Sequence, residues 1–103
     1  MIIYNITVNI DESVHDQWLN WMQNEHIKAM IATGKFTSAR LVKVLVDEEM
    51  GGVTYSVQFF APSKEALAEY HRDFATSMNH ECMKRFADKM LTFHTELEII
   101  SEH

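Results

Sequence analysis

With 103 residues, 47% of them hydrophobic and 23% charged, the chain has room for one core and none for a second domain, so residues 1–103 are expected to form a single unit. A formal charge of -6 without any cluster of Lys and Arg argues against nucleic acid and anionic membrane as partners, because both are gripped by grouped cations. The lone Cys82 excludes an intrachain disulfide, and neither a basic export leader nor an apolar run of ~18 residues is present, which together lead us to expect a soluble cytoplasmic protein.

The chain opens on a strand. Ile2, Tyr4, Ile6, Val8 and Ile10 alternate with Ile3, Asn5, Thr7 and Asn9, a period of two that separates an apolar face from a polar one. A helix follows from about 12 to 32: Val14, Trp18, Trp21, Met22 and Ala29 form its apolar stripe, bordered by Leu19 and Met30. Asp11 or Ser13 can accept from its first free N–H groups, and Gly34 supplies a left-handed stop.

Phe36 to Asp47 reads as a second strand, apolar on both sides, with Val42, Val44 and Val46 opposite Leu41, Lys43 and Leu45. Glu48-Glu49-Met50-Gly51-Gly52 turns the chain, and Val53 to Ala61 returns beside it. Pro62-Ser63 then starts a second helix with Ser63 as its cap and Leu67, Tyr70, Phe74 and Met78 inward. Weak helix formers at Thr76 to Asn79 predict a break before a further helical piece carrying Cys82 or Met83, Phe86 and Met90. The last strand runs from Leu91 to Ile100, with His94, Glu96 and Glu98 on one side.

The order βαββαβ with right-handed crossovers gives an α+β, ferredoxin-like fold: a four-stranded antiparallel sheet with both helices on one face. Its other face would gather Asn5, Thr7, Asn9, Lys43, Thr54, Ser56, Gln58, His94, Glu96 and Glu98 among Ile3, Leu41, Leu45, Phe60 and Ile100. That mixture is too apolar for solvent, so we expect two copies to pair through it as a homodimer.

No residue pattern here requires a metal or cofactor. The spacing offers no H-x-x-x-H, H-E-x-x-H or C-x-x-C pair, no glycine-rich phosphate loop and no G-x-S-x-G elbow. A pocket between helices and sheet would be bordered by Trp18, His26, Tyr70 and His71, which are the expected ligand contacts. His26 reads first as a boundary histidine with its polar atoms satisfied and second as a proton-transfer group lining that pocket; Trp18 and Trp21, on the apolar stripe, read first as core anchors.

The run W-x-x-W-M-x-x-x-H-I from Trp18 to Ile27, followed by A-T-G-x-F at Ala32 to Phe36 and A-R-L at Ala39 to Leu41, resembles an uncharacterised bacterial family of small ferredoxin-like domains across nearly the whole chain. More distantly, it resembles EthD-like proteins and the antibiotic-biosynthesis-monooxygenase group of dimeric α/β barrels. The nearer resemblance implies no activity, so the expected function is a small dimeric domain that binds a small molecule or a protein without catalysis. The distant one implies an alternative, a cofactor-free oxygenase-like or haem-degrading enzyme. In that reading Asn5 and His80 join His26 as catalytic candidates, and haem is a candidate ligand.

Overall fold

The computed structural model describes residues 1–46 and 51–103. The expected strand end at Asp47 and turn residues Glu48, Glu49 and Met50 lie outside the described residues. The elements are β1 (Ile2–Ile10), a 3₁₀ turn (Glu12–Val14), α1 (His15–Trp21), a π turn (Met22–His26), α2 (Ile27–Ala32), β2 (Ser38–Lys43) and β3 (Val53–Ala61). After them come α3 (Lys64–Asp73), α4 (Ala75–Phe86), a second 3₁₀ turn (Ala87–Lys89) and β4 (Met90–Glu98). The strands pair antiparallel in the order β2-β3-β1-β4, which is the expected ferredoxin-like βαββαβ arrangement.

Several local signals act as read. Asp11 Oδ1 accepts from Ser13 N at 2.9 Å, and Ser63 Oγ accepts from Ala66 N at 3.1 Å, opening the two helical arms. Gly34 closes the first arm at φ +80, where a Cβ would be strained. Gly52, at φ +82, is required twice over, since a Cβ there would meet Asn9 Oδ1 at 2.7 Å.

Other expectations need correction. The first arm is not one α-helix, because the Ile27 N–H bonds the Met22 carbonyl five residues back and inserts a π turn. The extra residue rotates the remainder of the arm: Met22, His26 and Met30 take the core face, and Ala29, expected on the stripe, is exposed. The break in the second arm lies at Phe74, not at Thr76 to Asn79. Phe74 stacks on Tyr70 at 6.5 Å and packs on the core, so tertiary packing rather than weak propensity places the bend. β2 is shorter than expected, ending at Lys43.

The faces of both edge strands also differ from the reading. β4 pairs with β1 in the register Tyr4↔Glu96, Ile6↔His94 and Val8↔Thr92. Directly opposed residues share a face, so His94, Glu96 and Glu98 stand on the helix side. Leu91, Phe93, Thr95 and Leu97 occupy the open face in their place. Likewise Leu41 opposes Val57 and Lys43 opposes Tyr55, which turns Leu41 and Lys43 inward and puts Arg40 and Val42 on the open face. Leu45 and Ile100 lie beyond the paired strands. The open-face placement of Ile3, Asn5, Thr7, Asn9, Thr54, Ser56, Gln58 and Phe60 agrees with the register of β1 and β3.

Candidate functional site

A cavity of about 220 Å³ lies between the helix side of the sheet and the helical arms. Each element contributes by its own periodicity. β1 supplies Ile6 and Val8, β3 Val57 and Phe59, and β4 Met90, Thr92 and His94. The π turn and α2 supply Met22, His26 and Met30 at intervals of four; α3 gives Tyr70, and α4 gives Asn79, Cys82 and Met83. Val8, Met22, His26, Met30, Val57, Phe59 and Tyr70 form a buried floor. Asn79, Met83, Thr92 and His94 are exposed at the mouth.

Several polar groups at this cavity are paired. His26, 6% exposed, stacks on Trp21 with centroids 4.7 Å apart, and its Nε2 lies 3.8 Å from Cys82 Sγ. Burial brings the His26 pKa down to about 4, against a smaller opposing pull from Glu81. Burial likewise pushes the Cys82 thiol up to about 11, helped by Glu81. At neutral pH the pair is therefore a thiol beside an uncharged imidazole, the reverse of an activated nucleophile. Across the cavity, His94 Nδ1 and the Tyr4 hydroxyl are 2.6 Å apart. Burial, then Glu96, pushes the Tyr4 phenol up to about 12, while burial, then His71, lowers the His94 pKa. Tyr70 is also raised, chiefly by burial, and its hydroxyl donates to Met30 Sδ at 3.4 Å. No group of the floor carries a charge at pH 7, and four thioethers surround the space.

Of the residues expected at the site, His26 and Tyr70 line the cavity. Trp18 does not: it is fully buried beneath α1, against Tyr55 at 5.1 Å. His71 borders a shallower groove between α3 and β4, where its Nε2 meets Glu96 Oε2 at 3.0 Å. Asn5 is on the opposite face of the sheet, bonded to Ser56 and Thr7, and His80 is exposed on α4 away from the cavity. Cys82, for which no site role was expected, is half-buried at the cavity beside His26. Sequence reasoning missed Tyr4 and His94 as partners, which only the β1–β4 register brings together. Among the described residues no group of three or more His, Cys, Asp or Glu is placed to hold a metal ion, and no helix is long and apolar enough to cross a membrane.

The open sheet face is a second feature. Arg40 donates to Gln58 at 3.0 Å, Gln58 to Ser56 at 3.3 Å and Ser56 to Asn5, and Asn9 donates to Thr54 at 3.1 Å. This polar ladder is flanked on β4 by Leu91, Phe93 and Leu97, exposed by 65, 70 and 43%.

Residues 1–100 match the model of a family described as a domain of unknown function, DUF4286. No protein with a curated function matches in sequence. Solved structures share the fold. An EthD-family protein from Bacillus halodurans aligns at TM-score 0.67 and 14% identity, covering 95% of this chain and 100% of that one. A dimeric ferredoxin-like protein from an uncultured marine organism aligns at 0.70 and 14%, covering 100% and 98%. A point variant of MhuD, solved with two manganese protoporphyrin IX molecules per active site, aligns at 0.70 and 13%, covering 100% and 98%. At such identities the likeness concerns the fold alone.

Proposed function

We propose, for a chain that belongs to the DUF4286 family of unknown function, that it holds one small, uncharged, largely apolar molecule between sheet and helices, as a homodimer and without turning the ligand over. The observation that carries this reading is the cavity itself: about 220 Å³, floored by apolar side chains and thioethers, with neutral polar groups only. Cavities of ~150 Å³ admit benzene and drug-sized ligands need ~300 Å³ or more, so this one suits a molecule of one or two rings. Methionine favours such contents because its flexible thioether moulds to a ring and meets its edge.

Binding is favoured over catalysis by the chemistry of the lining. A histidine with its pKa near 4 is a weak base at neutral pH, and a thiol near 11 is not a nucleophile there. Asn5 and His80, the further catalytic candidates of the enzyme reading, stand away from the cavity. A porphyrin, as held by the MhuD variant, does not fit: its four pyrrole rings exceed a space of about 220 Å³.

The homodimer rests on the open face, where polar groups already bond one another and can be covered at little cost, beside three exposed apolar residues of β4. The dimeric marine protein of the same fold is consistent with it. Titration with indane, a neutral two-ring hydrocarbon, tests the binding function. Saturable quenching of tryptophan emission and a raised Tm are expected, and both should vanish in Met83→Trp, which plugs the mouth at an exposed position. No saturable response to indane, or full binding by Met83→Trp, contradicts the reading.

A further inference from the structure

We infer that Tyr4 fixes His94 in one tautomer, so that its ring offers one N–H, on Nε2, at the cavity mouth, and that the ligand is a small ring compound bearing an acceptor oxygen, such as a ketone or ether, at that end. This rests on the cavity being the binding site. Tyr4 is 2% exposed, and among the described residues its hydroxyl bonds His94 Nδ1 and no other acceptor. Were Nδ1 to carry the proton and donate, the phenol proton would be left buried without a partner, which a native interior avoids. The phenol must therefore donate and Nδ1 accept. The neutral ring then carries its proton on Nε2. His94 lines the mouth of the cavity, whereas Tyr4 lies behind it, so the pair works as a ligand contact and a positioning residue.

The other histidine cannot duplicate this role. The Nε2 of His26 faces the Cys82 thiol at 3.8 Å, and the ring is stacked on Trp21. With the Tyr70 hydroxyl donating to Met30 Sδ and the rest of the floor apolar, the polar discrimination of the site falls on the mouth, where Nε2–H of His94 is a donor beside Asn79 and Thr92. A ligand whose acceptor reaches the Nε2–H of His94 keeps its hydrogen bond on leaving water.

The test uses the intact protein labelled with ¹⁵N, together with 1-indanone and indane as probes. Two-bond ¹H–¹⁵N correlation of His94 at neutral pH should show Nε2 protonated and Nδ1 a hydrogen-bonded acceptor. A protonated Nδ1 overturns the inference without bearing on whether the cavity binds anything. Tyr4→Phe should weaken 1-indanone at least threefold and leave indane unchanged, while His94 becomes a mixture of tautomers. Equal loss for both probes, or for neither, overturns the assigned role of Tyr4. Failure of both probes to bind the wild-type protein overturns the ligand class together with the cavity reading. The tautomer is read on the wild-type chain, so the clamp is tested even if Tyr4→Phe does not fold.

Discussion

Replacing His26 by Gln should flatten the acid limb of the stability profile. In the unfolded chain the imidazole takes a proton near pH 6.5; in the folded one burial among Trp21, Cys82 and Met22 holds this off until about 4. Between those values the unfolded state binds more protons, so the contribution is fully present above pH 6.5 and is lost as pH falls to 4. Applying linkage to that interval, the wild type should lose about 2.5 kcal/mol from this one group between pH 7.5 and 4.5. That is a sizeable part of the ~5–15 kcal/mol that holds a domain of this size. At pH 7.5 the variant should be weaker by about 1 kcal/mol, the worth of the ring stack on Trp21. At pH 4.5 it should be the more stable of the two. Asp11, Glu69 and Asp73, held below the usual carboxylate range by Ser13, Lys35 and Arg72, also weaken the fold in acid, but equally in both proteins. Urea unfolding at fixed protein concentration across this range gives the difference directly. Profiles that stay parallel within ~0.5 kcal/mol would refute a buried, neutral His26.

Trp18→Ala should cost about 3 to 5 kcal/mol, the range for emptying a large buried site, whereas Trp18→Phe should cost much less, because the indole Nε1 is buried without a hydrogen-bond partner among the described residues and its removal leaves nothing unpaired; chemical denaturation compares them, and equal losses would contradict this. Phe93→Glu should convert a dimer to a monomer in sedimentation equilibrium while leaving Tm within a few degrees, since Phe93 is 70% exposed on the open face. A wild-type chain that stays monomeric at ~100 µM, where association worth about -5.5 kcal/mol would show, counts against the paired sheets.

The extent to which the sequence disclosed all this depended on whether a signal was local. Alternation along β1 and β3, the Asp11 and Ser63 caps and the stop at Gly34 are set by neighbouring residues, and they led to the βαββαβ order. The edge strands were not legible in this way. β4 has apolar residues on the side away from the core, so hydrophobic alternation assigned its faces backwards, and the same holds for Leu41 against Val42 on β2. The π turn was equally hidden, because no residue type demands one; it replaced Ala29 by Met30 on the core face and carried His26 from the boundary into the floor. His26 and Tyr70 were recoverable as inward residues of helical arms. Tyr4 and His94 are 90 positions apart, and only the pairing of Ile6 with His94 brings them into contact.

Four of the chain's seven methionines, Met22, Met30, Met83 and Met90, line the cavity, and this makes their methyl groups direct reporters of its occupancy. In a spectrum of protein labelled with ¹³C at the methionine methyls, titration with indane should shift those four signals together along one saturation curve, with Met1 unmoved. Shifts scattered over the surface, or none at the four cavity methyls under saturating ligand, would contradict a binding site between sheet and helices.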